Sequence, residues 1–188
     1  MQMIIIILGV LCLVFFIENA RELRTFRIRT YRIFSHKLKG IQKKRIVFLS
    51  DLHNCSYGKN NGRLLAAVRR SRPDLILIGG DMLVRKNGTS YAKTLKFLTR
   101  LTAMCPVYYA NGNHEQKLKE EPERYEQSYA AYKKHLEEAG IIFLENEAVI
   151  WKTGRARIRI SGLEIPLSAY EKLGKRKLSV RQIEDRIG

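Results

Sequence analysis

A chain of 188 residues has room for one domain, or for one domain and a membrane segment. With 45% apolar and 28% charged residues it is neither a disordered chain nor a polytopic membrane protein. Its 35 basic and 18 acidic side chains leave a net charge of +17, which favours anionic partners: phosphates, acidic lipid headgroups or nucleic acid.

Residues 3–17, MIIIILGVLCLVFFI, are apolar without interruption. A helix over 1–20 would be roughly 30 Å long, about the hydrocarbon thickness of a bilayer, so the segment reads as a transmembrane anchor. A cleaved signal peptide fits less well, because no basic residue precedes the run and E-N-A is a poor cleavage site. Residues 18–45 follow with 10 Lys or Arg against 2 Glu. Arg21, Arg24, Arg27, Arg29 and Arg32 directly follow the anchor, and the positive-inside rule then puts the body of the protein on the cytoplasmic side of the cell membrane. The same arginines can hold the chain against anionic lipid, at about 1 kcal/mol each. Nucleic acid ranks lower as the anionic partner, because the basic run adjoins the anchor and lacks an aromatic platform.

TFRIRTYRIF (25–34) alternates apolar and basic residues in part and suits an edge strand. Gly40 and Lys43–Arg45 read as a turn. Buried strands are expected at 45–50, 74–79 and 106–110, and further strands at 141–145, 148–152 and 156–161. Helices are expected over about 62–71, capped by Asn60 or Asn61, over 90–103 and over about 123–139. The tail 166–188 is basic, through Lys175–Lys177 and Arg181, with weak helical character at 179–187. Alternating strands and helices indicate an α/β fold with a parallel centre, and the later strands suggest a mixed sheet flanked by helices or the start of a second sheet. The chain divides into an anchor (1–20), a basic juxtamembrane segment with the edge strand (21–45) and an α/β portion (46–188). Cys12, Cys55 and Cys105 form no CxxC pair, which excludes a disulfide framework and a thiolate zinc site.

The informative residues follow the three buried strands: Asp51 and His53 in S-D-L-H-N, Asp81 in G-G-D-M, and Asn113 and His114 in G-N-H-E. Open α/β sheets build ligand sites at this rim. Singly, each residue is an ordinary turn former or a satisfied polar side chain. Together and in order they make an oxygen and imidazole donor set, which suits Mn²⁺, Fe or Zn²⁺. Glycines beside the donors let the backbone turn sharply. Asn54, Tyr57, Asn60 and Asn61 follow His53 and are candidates to line a substrate pocket, Asn54 first among them. Glu115 is placed to orient His114 or to take a surface bond. Tyr108, Tyr109 and Trp151 read as core.

D-L-H, G-G-D-M and G-N-H-E in this order resemble the calcineurin-like metallophosphoesterases. SDLHNCSYGKNNGRLL and RPDLILIGGDM are especially similar to the membrane-anchored bacterial branch. The resemblance implies a four-layer α/β sandwich and a hydrolase of phosphate esters, lipid-linked ones among the possible substrates, that uses a hydroxide activated by two divalent metals. On that reading Asp51 and His53 bind the first metal, Asp81 bridges both, Asn113 binds the second, and His114 acts catalytically beside the phosphate.

The family pattern also needs three later histidines, and none follows His135 here. His36 and His135 lie in polar surroundings and are no substitutes. The sandwich is therefore expected to be partial, the metal shells incomplete, and the chain a truncated, weakly active form of an enzyme. The alternative is a catalytically dead, membrane-anchored protein that binds anions or lipid.

Overall fold

The computed structural model describes residues 2–22, 25–38, 42–126, 128–170 and 178–188. Arg24, the Gly40 turn and the Lys175–Lys177 run lie outside the described residues. Four short apolar segments form one parallel sheet: β1 (Ile46–Leu49), β2 (Leu75–Ile78), β3 (Val107–Tyr109) and β4 (Ile141–Phe143), in spatial order β1-β2-β3-β4. Their register pairs Leu49 with Ile78, Ile78 with Tyr109, and Tyr109 with Phe143. Parallel strands need crossovers. These run through α2 (Gly62–Ser71), α3 (Ala92–Thr99), and the pair α4 (Asn113–Glu120) and α5 (Tyr129–Glu138).

Side chains alternate across the sheet because successive strand residues point to opposite faces. Ile76, Ile78, Val107, Tyr109, Ile141 and Phe143 join Leu65, Val68, Phe97, Leu98, Tyr132 and Leu136 from the helices in the main core. Leu75, Leu77 and Tyr108 face the other way. They pack against Val149, Trp151, Ile158 and Ile160 of an antiparallel hairpin, β5 (Glu147–Thr153) and β6 (Ala156–Gly162). α6 (Val180–Ile187) is tied to this side by Arg159 Nη2, which donates to the Ile187 carbonyl. The hairpin leaves β1 uncovered, and Ile46 and Phe48 are 48% and 65% exposed.

Several expectations change. The main sheet is parallel throughout rather than mixed, and the antiparallel pair forms a second sheet, the other of the two expected arrangements. Residues 25–34 form no strand. An alternating pattern needs a partner sheet to bury its apolar face. Here Ile28, Tyr31, Ile33 and Phe34 stay exposed, and Phe26 packs edge-on against Tyr57 at 5.1 Å. The helix expected at 90–103 ends at Thr99, and that at 123–139 begins at Tyr129, capped by Ser128. Asn61 is no side-chain cap: it is buried, its Oδ1 accepting the Tyr57 N–H at 2.7 Å. All three cysteines are free.

The N-terminal segment is a helix, α1 (Gln2–Glu22). Among the described residues no helix is long and apolar enough to cross a membrane, so the transmembrane expectation is not met. The uninterrupted apolar run covers residues 3–17, about 22 Å at the rise of a helix, and falls short of a hydrocarbon core of roughly 30 Å.

Candidate metal centre

The C-terminal ends of β1, β2 and β3 open on one side of the sheet, and the loops that leave them are fastened together. The β1 loop donates from Asp51 N to the Gly80 carbonyl (3.2 Å), from His53 N to the Asp81 carbonyl (3.0 Å) and from Asn54 N to the Met82 carbonyl (3.0 Å). Asp51, His53, Asn54 and Asp81 all have φ between 47° and 58°, the left-handed region that side-chain-bearing residues seldom enter. Such clustering of strained backbone is a feature of functional sites.

Two glycines permit the approach. A Cβ at Gly80, itself at φ 80°, would lie 2.0 Å from the Gly112 nitrogen, and one at Gly112 would lie 2.4 Å from Asp81 Oδ1. No other residue fits either place.

Asp51, His53 and Asp81 offer one donor atom each, all within 4.8 Å of one another. His53 Nε2 lies 3.6 Å from Asp51 Oδ1. Asp81 Oδ1 accepts the His114 backbone N–H at 2.9 Å, which brings the start of α4 against the group. Asn113, the first residue of α4, has a buried Oδ1 with no hydrogen-bond partner among the described residues. A buried amide oxygen left unsatisfied costs free energy unless something else coordinates it. Carboxylate and amide oxygens with an imidazole nitrogen are the donors that first-row divalent ions and Mg²⁺ accept. The residues present therefore fit a divalent metal.

His114 stands beside the group, its ring centroid 4.9 Å from that of His53. Its Nδ1 accepts the Arg85 N–H at 3.3 Å, and the Arg85 guanidinium comes equally near. Burial pulls the His114 pKa below the ordinary histidine value; Asp81 opposes that, and the charges of Arg85, His53 and Lys117 reinforce it. The Asn54 carboxamide is turned toward α3, its Oδ1 accepting the Thr94 hydroxyl proton at 2.9 Å.

Glu115 neither orients the His114 ring nor bonds at the surface. It is fully buried and accepts the N–H groups of Asp81, Met82 and Gly112 and the Tyr109 hydroxyl. Its place three residues after Gly112, at the third position of a helix, is the sequence signal for part of this role. Nothing in the sequence marks Arg85.

The sequence model for calcineurin-like phosphoesterases matches residues 44–178, most of the chain. The chain belongs to this family. The uncharacterized metallophosphoesterase YkoQ of Bacillus subtilis (strain 168) is 31% identical over 164 residues, covering 86% of this chain and 58% of YkoQ. The chain thus spans less than two thirds of that relative's length. The solved structure of phosphopantetheinyl hydrolase (PptH) from Mycobacterium tuberculosis matches 63% of this chain and 42% of its own at 20% identity and a TM-score of 0.45. The matched residues 44–178 of this chain take in all three donor loops of the centre described above.

Proposed function

We propose that this chain carries the metal-loading rim of a metal-dependent phosphate-ester hydrolase. The observation behind this reading is the gathering of Asp51, His53 and Asp81 donor atoms within 4.8 Å, at a rim where Asn113 Oδ1 is buried with no hydrogen-bond partner among the described residues. These four residues would hold the metal, with Asp81 shared where a second ion binds. The bound metal supplies Lewis acidity toward water and the phosphate oxygens.

The protein's own groups handle the proton and the charge. His114 Nδ1 is occupied as an acceptor by the Arg85 N–H, so the neutral ring carries its proton on Nε2. That N–H can hydrogen-bond to a phosphate or leaving-group oxygen and stabilise the charge that builds there. Burial also disfavours the charged form of the ring. The Arg85 guanidinium, beside the ring, adds a positive charge where an anionic phosphate would dock.

The chain also attaches to a membrane in this reading, through α1 and the arginines that follow it. The support is a 21-residue α1 with apolar side chains such as Met3, Phe15 and Phe16 at least 67% exposed, followed by exposed Arg27, Arg29 and Arg32. An enzyme held in this way would meet phosphate esters carried on lipids.

The test is hydrolysis of a chromogenic phosphodiester and phosphomonoester with and without added Mn²⁺, together with calorimetric titration of Mn²⁺. The expected result is Mn²⁺ binding and Mn²⁺-dependent turnover, both lost in Asp81→Asn with the fold intact. A parent chain that takes up no Mn²⁺ overturns the reading.

A further inference from the structure

Glu115 is a carboxylate with no exposed surface, and it donates nothing to the metal group. Its four contacts use both oxygens: Oε2 accepts Asp81 N at 2.8 Å and Gly112 N at 3.1 Å, and Oε1 accepts Met82 N at 2.9 Å and the Tyr109 hydroxyl at 2.8 Å. Burying a carboxylate is costly unless its oxygens are met by donors. Here three of the four donors are backbone amides of the loops that carry the proposed ligands.

The peptides on either side of Asp81 are clamped twice. Their N–H groups go to Glu115, while their carbonyls, of Gly80 and Asp81, accept the N–H groups of Asp51 and His53. Asp81 is held at φ 54°, a conformation that persists only where its surroundings over-determine it. A shift of the β2 loop would therefore be passed to Asp51 and His53 through the bonds that join the two loops.

We infer that Glu115 is a positioning residue for metal loading: its carboxylate fixes the backbone at Asp81, and through it the β1 loop, so that the donor atoms converge. This rests on the metal reading proposed above. The chemistry is specific to a carboxylate. Glutamine has the same size but one acceptor oxygen, so its amide group would face two of the four donors.

The experiment titrates Mn²⁺ calorimetrically into the full chain and into Glu115→Gln, Glu115→Asp and Tyr109→Phe, with thermal unfolding and amide exchange measured on each. Tyr109→Phe removes one bond to Glu115 but touches no loop amide, so it controls for loss of stability. Glu115→Gln is expected to weaken Mn²⁺ binding by roughly tenfold or more, the usual cost of losing a group that orients a ligand. Exchange at Asp81 and Met82 should quicken with it. Tyr109→Phe should lower the unfolding temperature yet keep Kd within about twofold, since it loses only the hydroxyl's two buried hydrogen bonds, to Glu115 and Tyr132, and none to a loop amide. Glu115→Asp keeps both oxygens on a shorter arm and should fall between the two; it carries the comparison if Glu115→Gln does not fold. Equal Kd in the parent and both Glu115 variants, or a loss shared with Tyr109→Phe in step with stability, overturns the inference while leaving the metal reading intact. No Mn²⁺ binding by the parent overturns both.

Discussion

Gly112 lies against Asp81 so closely that a single methyl group at 112 would sit 2.4 Å from the Asp81 Oδ1 and 2.5 Å from its backbone nitrogen. The contact with the nitrogen cannot be relieved by swinging a side chain, because the backbone at Asp81 is held by hydrogen bonds on both sides. Gly112→Ala is therefore expected to push the β2 and β3 loops apart, destabilising the fold by about 1–3 kcal/mol and weakening Mn²⁺ binding at least tenfold. Gly62→Ala is the control. It is helical at φ −58°, with nothing near an added Cβ. It should leave Mn²⁺ binding unchanged and stabilise by about 0.4–1 kcal/mol. Chemical denaturation and calorimetric titration read both effects.

Much of this arrangement is legible in the sequence, for a physical reason. Strands of a parallel sheet are buried on both faces, so LILI and PVYYA read as short apolar runs whose ends are visible. The chemistry follows at those ends, where Asp51, Asp81 and Asn113 appear one loop apart. Other parts leave weaker marks. α4, NHEQKLKE, has Leu118 as its one aliphatic side chain and shows no apolar period. Its inner face is polar because Glu115 and Gln116 are buried there. Glu115 bonds mainly to backbone N–H groups, which carry no residue identity and so leave no trace in the string. The reverse error, a strand over 25–34, comes from reading an alternating pattern without knowing whether a sheet edge receives it.

Glu145 anchors a second polar cluster behind the metal group. It accepts from Lys133, from the Tyr129 hydroxyl, from Lys119 at 3.0 Å and from Asn111 at 3.0 Å, and its side chain is 16% exposed. Burial raises its pKa, but hydrogen bonds from Lys133, Tyr129 and Lys119 outweigh that and bring it from 4.5 down to about 2. A carboxyl depressed on folding stabilises the protein above its unfolded value, and that contribution fades as pH falls from about 4.5 toward 2. Urea unfolding followed by circular dichroism should therefore show Glu145→Gln less stable than the parent by about 1–3 kcal/mol at pH 7. The gap should close as pH falls toward 2. A gap that stays constant with pH would contradict the depressed pKa.

Phe48 projects from the free edge of the sheet beside Ile46, on the hairpin's side of the sheet but beyond the reach of β5–β6. An apolar edge strand with unpaired backbone groups invites association with another copy. Phe48→Thr keeps a strand-favouring residue while removing the ring, which lies over Gly79 and is mostly exposed. Sedimentation velocity should show less concentration-dependent association in this variant. Its unfolding temperature should change little, since little buried area is lost.

The membrane reading separates cleanly into an apolar and a charged part. Arg27, Arg29 and Arg32 are exposed and follow α1, where Met3, Phe15 and Phe16 among others present apolar surface to the surroundings. Each arginine near an anionic surface contributes about 1 kcal/mol, so replacing all three by Gln should weaken partition onto vesicles containing phosphatidylserine by roughly 100-fold at low salt. Partition onto neutral phosphatidylcholine vesicles, driven by α1 alone, should not change. At high salt the difference between parent and variant should shrink, because the Debye length falls to about 3 Å at 1 M. Equal cosedimentation of parent and variant with anionic vesicles at low salt would remove the arginines from the attachment and leave α1 to account for all of it.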